Sequence, residues 1–343
     1  MLEDNDRSSA KRRDFIKYTG AASAAAFTGL AGCLGDDDGE YPSGDITYII
    51  PFSEGGGTDT YARQFVSHWA DELDTNIAIE NVPGAASLRG TGQLYNADND
   101  GYTIGGFNPP STPVSAMVNP PDYDMAELEG VATYARTPFV IVSNPDYEIE
   151  DFDDMLDRYA DDELEIFSGK ERGGVDHVLA LLMQGNDSYD HQWDRYVGYD
   201  GSGPAVQAVI SDEVPCAIST DTAAAGAAED DRVDVLGCLS SQGSEVFPDT
   251  PTVTDLGYDN IDFLGQLVRG VYAPEGTDQE QIEVLSEALE TALQADEVQQ
   301  WSEDTGNVVE YGGPESAGDA VADAFEQIPA HVDLEEVREA ADE

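Results

Sequence analysis

The stretch ITYIIPFSEGGGTD, residues 46 to 59, indicates the fold class of this chain. Its first five residues are apolar or β-branched and predict a buried strand. Beyond its three glycines, apolar side chains recur at helical spacing, at Ala62, Phe65, Val66, Trp69 and Leu73. The glycines are therefore expected to form a turn that leads from a strand into a helix over about residues 58 to 74.

Strand and helix patterns keep alternating along the rest of the chain. Further strands are predicted at residues 76–81, 102–107, 164–169, 195–199 and 214–219, and helices at about 90–97, 153–161, 175–184 and 203–211. This alternation predicts an α/β fold with mostly parallel sheets that are flanked by helices.

Two more helices are predicted near the C-terminus. Thr277 and Glu280 fit a capping box at the start of the first one. Its predicted buried stripe comprises Ile282, Leu285, Leu289 and Leu293. Pro314 fits the first turn of a last helix. The predicted buried positions of that helix are Val321, Phe325 and Ile328.

The composition is extremely acidic. The 343 residues include 71 acidic and 15 basic ones, and the formal net charge is −56. A nucleic-acid partner is excluded because the sequence has no basic patch. Such charge strains a compact state at ordinary ionic strength, whereas near molar salt the screening length falls to about 3 Å. Because 40% of the residues are hydrophobic, we predict a folded protein of a very salty environment.

Residues 1–33 are predicted to be an export signal. Lys11, Arg12 and Arg13 precede an apolar run that is too short for a convincing membrane span and ends in LAGC at Cys33. The paired arginines resemble a twin-arginine signal and LAGC resembles a lipobox, so Cys33 is expected to carry a lipid. Residues 34–40 would then be a tether. An uncleaved anchor helix is the alternative. The remaining residues, about 310, are enough for two domains.

No catalytic or metal-binding pattern is present in the sequence. The four histidines show no metal spacing, and no serine stands in a nucleophile elbow. Cys216 and Cys238 lie in apolar, strand-like segments, which favours buried free thiols over a disulfide. We therefore predict that the protein is not an enzyme and needs no cofactor or metal. The sequon at Asn186 leaves glycosylation open.

The first glycine turn is a candidate anion site. A turn without side chains lets backbone N–H groups face a ligand, and the following helix adds the positive end of its dipole. The segment lacks the lysine and the spacing of a nucleotide phosphate loop. A purely structural turn, with Thr58 or Asp59 as the helix N-cap, explains the same residues equally well.

A second turn, NVPGAASLRGT at residues 81–91, follows the next predicted strand. Its Arg89 either pairs with a ligand carboxylate or neutralises neighbouring acids. Lys170 and Arg172 raise the same two hypotheses, and Lys170 is the only lysine beyond residue 40. For His177, packing or hydrogen bonding is favoured over catalysis.

Six segments in the same order along the chain resemble one protein family. They are residues 41–63, 77–91, 96–106, 196–211, 246–258 and 270–277. Together they are similar to the substrate-binding proteins of tripartite tricarboxylate transporters, the Bug receptors. The resemblance covers about residues 41–325. It implies a two-lobed, type II periplasmic-binding-protein fold of the Venus-flytrap kind.

The resemblance also implies lobe boundaries and a function. Lobe 1 would hold residues 41–139 and 264–335 and lobe 2 residues 140–263, with chain crossings near Pro138–Val142 and Phe263–Gly265. Such a receptor binds a small organic anion, a di- or tricarboxylate or a similar ligand, mainly through backbone amides and water. It passes the ligand to a permease with one large and one small membrane subunit.

The candidate ligand-binding residues follow from the family pattern, with Arg89 added as the basic residue of the second turn. They are Phe52, Ser53, Gly55, Gly56, Gly57, Thr58 and Asp59; Gly84, Ala85, Ala86, Ser87 and Arg89; Ser168, Gly169 and His177; and Gly201, Ser202 and Gly203. The chain departs from the pattern in the second turn, where Ala86 and Ser87 stand in place of further glycines.

We expect an exported receptor that is anchored by Cys33 to the outer face of the cytoplasmic membrane and serves a permease. Three alternatives stay open: a receptor for a membrane sensor kinase, a receptor for an ABC importer, and an extracellular hydrolase. The sequence determines neither the ligand nor the oligomeric state.

Overall fold

The computed structural model describes residues 41–342. They belong to the second of the two units into which the chain divides, Gly39–Glu343. The predicted export signal, the lipid site at Cys33 and the tether over residues 34–40 lie outside the described residues.

The strands agree with the sequence pattern and add three that it did not predict as strands. The strands of this part of the chain are β1 (Ile46–Ile50), β2 (Ile77–Asn81), β3 (Thr103–Phe107), β4 (Glu129–Ser143), β5 (Ile166–Lys170), β6 (Arg195–Tyr199), β7 (Cys216–Thr220), β8 (Asp234–Cys238) and β9 (Gln266–Ala273). The additions are β4, β9 and β8, the last of which ends at Cys238, whose segment is strand-like in sequence but was not among the predicted strands.

Helices separate most of these strands. They are α1 (Gly57–Glu72), α2 (Leu88–Tyr95), α3 (Ser111–Val118), α4 (Phe152–Ala160), α5 (Val175–Gly185), α6 (Ser202–Ile210), α7 (Asp221–Glu229), α8 (Asp262–Gly265), α9 (Gln279–Leu293), α10 (Asp296–Thr305), α11 (Pro314–His331) and α12 (Leu334–Asp342). Within residues 41–342, no helix is both long and apolar enough to cross a membrane.

The main sheet has the strand order β2-β1-β3-β9-β4-β7, with β8 also paired to β4, and β5 and β6 form a second sheet. The pairs of β1 with β2 and β3 and of β5 with β6 are parallel. The expectation of mostly parallel sheets needs correction, because β9 runs antiparallel to β3 and β4 runs antiparallel to β7, β8 and β9. The predicted α/β class with helices around a central sheet holds, but the sheet is mixed.

Strand β4 connects two parts of the main sheet. Its residues from Glu129 to Pro138 pair with β9, and its residues from Phe139 to Ser143 pair with β7. The change of partner falls where the sequence predicted a crossing between lobes. The boundaries of the two lobes stay a prediction.

Two large apolar clusters hold these parts together. One packs the buried face of α1, with Phe65 and Trp69, against Tyr48, Tyr134 and α9. The indole N–H of Trp69 donates to the Leu285 carbonyl at 3.0 Å, so this buried ring leaves no polar atom unsatisfied. The other cluster joins α4, α5 and the strands β5 and β7, and it extends to α3, α11 and α12.

The C-terminal predictions are confirmed with two corrections. All four residues of the predicted stripe of α9 are buried. The capping box is wrong, because the Asp278 carboxylate caps α9 by accepting from the Glu280 N–H, while the Thr277 hydroxyl donates to the Pro274 carbonyl. Pro314 lies in the first turn of α11, as predicted. This helix is not the last one, because α12 follows α11.

The buried positions of α11 are largely as expected. Val321 and Ile328 are buried, and Phe325 is half-buried. Cys216 and Cys238 are also buried, and both are free thiols, which confirms the prediction against a disulfide.

Candidate ligand-binding site

A cavity of about 440 Å³ opens beside the first glycine turn. Residues of this turn and of the start of α1 form one part of its wall, namely Phe52, Gly55, Gly56, Gly57, Thr58, Thr60 and Tyr61. The rest comes from distant segments, namely Asn108, Ser111, Lys170, Ser202, Thr220, Thr222, Ala223, Leu267, Arg269 and Asn307. The strand-to-helix turn that the sequence singled out therefore lies at a cavity.

Each of the three positions in the turn favours glycine for a different structural reason. Gly55 has φ +79°, a left-handed conformation that side chains disfavour. A Cβ on Gly56 would lie 3.1 Å from the Ser53 carbonyl oxygen. A Cβ on Gly57 would lie 3.0 Å from Nη2 of Arg269, so the missing side chain lets this guanidinium approach the start of α1.

Asp59 braces the turn from behind. Its carboxylate accepts hydrogen bonds from the Gly55 N–H at 2.8 Å, from Arg63 Nε at 2.8 Å and from Asn81 Nδ2 at 3.0 Å. Burial alone would raise the pKa of Asp59, but these hydrogen bonds and the Arg63 charge outweigh burial and lower it. Asp59 is thus an ionised structural residue of the turn and does not line the cavity.

Arg269 brings a buried positive charge to the cavity from the middle of β9. Its side chain is 8% exposed, and Nη1 donates to the Thr58 hydroxyl at 3.2 Å. The guanidinium carbon lies 5.1 Å from the centre of the Tyr61 ring, within cation–π range. Nε is buried and has no hydrogen-bond partner among the described residues. The guanidinium therefore has donor capacity left for a ligand.

Four helices of the described part of the chain begin at this cavity. They are α1 at Gly57, α3 at Ser111, α6 at Ser202 and α7, whose N-cap is Thr220. None of the four starts has a side-chain cap hydrogen bond, whereas α4 and α9 are capped by aspartates. Each helix start carries the equivalent of roughly half a positive charge. Together they favour an anion in the cavity.

The start of α7 also carries a buried acid, Asp221. Its carboxylate accepts from the Thr222 N–H at 2.6 Å and from the Ser244 hydroxyl at 2.7 Å. Burial raises its pKa to about 6, although these two hydrogen bonds and the charge of Arg269 act in the opposite direction. Asp221 does not itself line the cavity.

Two further polar groups come from the segments that follow β5 and β6. Lys170, the last residue of β5, is half-buried and lines the cavity. Ser202, the first residue of α6, is 8% exposed, and its hydroxyl is buried without a partner in the described part of the chain. Gly201 before it has φ +107°, a conformation for which glycine is suited.

The second turn connects to the cavity through a chain of hydrogen bonds behind the wall. The Ser87 hydroxyl donates to Thr112 Oγ1 at 3.1 Å, and the Asn108 N–H donates to the same oxygen at 3.4 Å. Asn108 Nδ2 in turn donates to Thr58 Oγ1 at 2.8 Å. The residues of the second turn thus support wall residues but do not line the cavity.

Arg89 is exposed, and its guanidinium lies against Gly84. No hydrogen bond or ion pair joins its side chain to any residue of the described range.

The predicted site residues divide into two groups. Those that line the cavity are Phe52, Gly55, Gly56, Gly57, Thr58 and Ser202. Those that do not are Ser53, Asp59, Gly84, Ala85, Ala86, Ser87, Arg89, Ser168, Gly169, His177, Gly201 and Gly203. A role of the second group in ligand binding stays a prediction.

Besides Asp59 and Ser87, three more residues of the second group have structural contacts. The Ser168 hydroxyl donates to the Cys216 carbonyl at 2.9 Å, and a Cβ on Gly169 would lie 2.6 Å from the Tyr196 hydroxyl. His177 Nδ1 accepts from the Gly173 N–H at 3.0 Å. Burial and the Arg172 charge lower the pKa of His177 to about 4, so the ring is neutral near pH 7. These contacts agree with the packing interpretation of His177.

Sequence reasoning missed Arg269, Asn108, Ser111 and Thr222. Asn108 and Ser111 follow β3 directly, and Thr222 follows β7, so the ends of predicted strands were a usable signal. Arg269 carried another signal, because it is a lone basic residue inside the apolar run LVRGVYA.

The charge of the cavity wall is opposite to that of the whole protein. Arg269 and Lys170 line it, and no aspartate or glutamate among residues 41–342 does. A second cavity of about 500 Å³ lies near α8 and α11 and is lined by Asp262, Asp319 and Asp323 as well as by Arg136 and His331. The first cavity is therefore the candidate site for an anion. No group of three metal-ligating side chains is present within residues 41–342.

Comparison with known proteins gives consistent matches. A family model described as the tripartite tricarboxylate transporter family receptor matches residues 61–324. Protein BugT of Bordetella pertussis is 29% identical over 274 residues, which are 79% of this chain and 82% of that protein.

Solved structures show the same fold. A TctC solute binding protein from Polaromonas, solved without ligand, has a TM-score of 0.74 at 19% identity and covers 85% of this chain and 98% of its own. MatC from Rhodopseudomonas palustris, solved with bound malate, has a TM-score of 0.65 at 23% identity and covers 88% of this chain and 100% of its own.

These matches confirm three predictions, namely the family resemblance, the two-lobed periplasmic-binding-protein fold and the absence of enzymatic function. Because the family model covers most of the chain, this protein belongs to the tripartite tricarboxylate transporter receptor family.

Proposed function

We propose that this protein is an exported receptor that binds a small organic carboxylate in the 440 Å³ cavity. The observation that carries the proposal is the wall of the cavity. It combines two cationic side chains and four helix starts, and no carboxylate from the described part of the chain lines it. In a chain of net charge −56, such a wall favours an anionic ligand. The malate in the related MatC structure supports the same ligand class.

A carboxylate would bind where Arg269 meets the start of α1. Arg269 has a buried Nε without a partner, and Gly57 leaves room beside its guanidinium. A guanidinium and a carboxylate match in geometry and form charge-assisted hydrogen bonds. The side chains of Phe52, Tyr61 and Leu267 would contact the apolar part of the ligand.

Binding would involve closure of two lobes. We place lobe 1 at residues 41–139 and 264–335 and lobe 2 at residues 140–263, with β4 and the segment before β9 as crossings. Closure on an anion excludes water and strengthens each polar contact.

The partner would be the membrane permease of a tripartite tricarboxylate transporter, which has one large and one small subunit. The family description as a transporter receptor supports this partner. A lipid on Cys33 would keep the receptor at the outer face of the cytoplasmic membrane, and the acidic composition supports a high-salt environment.

A thermal-shift screen tests the ligand class. The purified protein would be melted in about 2 to 4 M salt, where its charges are screened, with mono-, di- and tricarboxylates and with neutral analogues. A ligand at a hundred times its Kd stabilises the folded state by about 2.7 kcal/mol. Arg269→Gln should abolish the shift, while Arg232→Gln, a control at an exposed arginine outside the cavity, should preserve it. A shift with neutral solutes alone would refute the carboxylate assignment.

A further inference from the structure

We propose that Lys170 determines ligand specificity by binding a second anionic group, so that the cavity selects dianions over monoanions. The proposal rests on the carboxylate-receptor function above and adds a second subsite, formed by Lys170, Ser202 and the start of α7.

The two cations of the cavity come from separate sheets. Arg269 belongs to β9 of the main sheet, and Lys170 ends β5 in the sheet of β5 and β6. Helix α6, which begins at Ser202, packs against β5 and against α7. Lys170, Ser202 and Thr222 are thus on neighbouring elements, while Arg269 lies against Gly57 and Thr58. One cavity therefore has two groups of anion-binding donors.

Neither cation forms a salt bridge with a described residue, although the buried carboxylates of Asp221 and Asp176 lie within electrostatic range of Arg269 and Lys170, respectively. Arg63, Arg136 and Arg158 form ion pairs with carboxylates, whereas Arg269 and Lys170 form none with any described residue. The lysine is also the only one beyond residue 40. An unpaired charge beside a buried surface is costly unless a partner arrives. A ligand with one carboxylate can neutralise only one of the two charges.

The unsatisfied Ser202 hydroxyl indicates a polar ligand group near Lys170. Its oxygen is buried, lines the same cavity and has no partner in residues 41–342. A carboxylate that accepts from this hydroxyl and from Lys170 would satisfy both. Recognition by two cationic side chains would add to the backbone amides and water that the resemblance implies.

The test compares each dicarboxylic acid with its own monoamide. Pairs with four to six carbons would be titrated calorimetrically against the purified protein in about 2 to 4 M salt. The wild type should bind the diacid at least tenfold more tightly than the monoamide. Lys170→Met, which keeps the length of the side chain, should reduce this ratio to below three, and Lys170→Arg should restore it. Arg232→Gln is the control for the loss of one exposed positive charge.

The outcomes separate this inference from the proposed function. If no acid binds to the wild type, both fail together. If diacid and monoamide bind equally, or if Lys170→Met weakens both alike, the second subsite is refuted while the carboxylate receptor stands. A reduced ratio in Lys170→Met with unchanged binding of the monoamide would support Lys170 as the specificity residue.

Discussion

Replacing Gly57 with alanine tests the contact between the glycine turn and Arg269. The added Cβ would lie 3.0 Å from Nη2 and 3.4 Å from both Nη1 and Cζ of the guanidinium. Most real Cβ contacts are longer, so the guanidinium must move by a few tenths of an ångström. The shift takes the guanidinium away from its present place beside the start of α1, where Nη1 donates to the Thr58 hydroxyl at 3.2 Å.

The expected loss of affinity is about tenfold. A weakened hydrogen bond from the displaced guanidinium to the ligand carboxylate costs about 1.5 kcal/mol, and about 1.4 kcal/mol corresponds to a factor of ten in Kd. The fold should not suffer, because Gly57 is the first residue of α1 and does not have a left-handed φ, so alanine fits its backbone conformation. Gly57→Ala is thus expected to bind more weakly without melting at a lower temperature.

Gly318→Ala provides the control. Gly318 also lies in a helix, α11, but a Cβ there meets no atom within 4 Å, and Gly318 does not line the cavity. Calorimetric titration with the tightest acid of the screen, together with thermal melts in the same salt, would compare both variants with the wild type. Equal affinities of Gly57→Ala and wild type would refute the role of the Gly57–Arg269 contact. Equal losses of affinity in both variants would mean that the rigidity of the helices, and not the contact with Arg269, causes the effect.

Three further changes test separate features. Arg89→Ala should alter Kd by less than threefold, because Arg89 is exposed outside the cavity; a tenfold loss would show that it pairs with the ligand. Ala86→Gly should raise the free energy of unfolding by up to about 1 kcal/mol in a melt, because Ala86 has φ +50°; no gain would mean that the strain is absent. Burial raises the pKa of Asp176 from 3.8 to about 6, so its charged form destabilises the fold fully above pH 6 and not below pH 3.8. Asp176→Asn should therefore raise Tm at pH 7.5 and lose this advantage near pH 4, whereas the exposed control Asp234→Asn should show no such pH dependence.

The local patterns of the sequence predicted the elements on both sides of the cavity. The strand before the first glycine turn and the stripe of α1 have clear periodicity, and both occur as expected. Strand β4 was missed because EGVATYARTPFVIVS is buried on both faces along most of its length and does not alternate. Its pairing with β9 joins residues more than 120 positions apart, which no local pattern records.

The candidate site was predictable only where its residues are local. Gly55, Gly56 and Thr58 lie in one turn, and the strand-to-helix signal identified them. Arg269 reaches Thr58 across 211 positions in the sequence. The reason that Gly57 is a glycine is visible only when that guanidinium is in place. The second turn was judged by its own residues, whereas its link to the cavity runs through Asn108 and Thr112 of another segment.

The contrast between an acidic protein and a cationic cavity leads to a last prediction, on how salt changes the rate of ligand association. At about 0.1 M salt the screening length is about 10 Å, so a net charge of −56 repels an approaching anion over a long distance. Near molar salt the range of this repulsion falls to about 3 Å, whereas contacts between the ligand and the buried Arg269 are screened much less. The association rate of a dicarboxylate should therefore rise with salt, and the dissociation rate should change little. Stopped-flow binding would be measured over the salt range in which circular dichroism shows an unchanged fold. An association rate that falls steadily with salt would mean that attraction by the cavity, and not repulsion by the surface, controls the approach of the ligand.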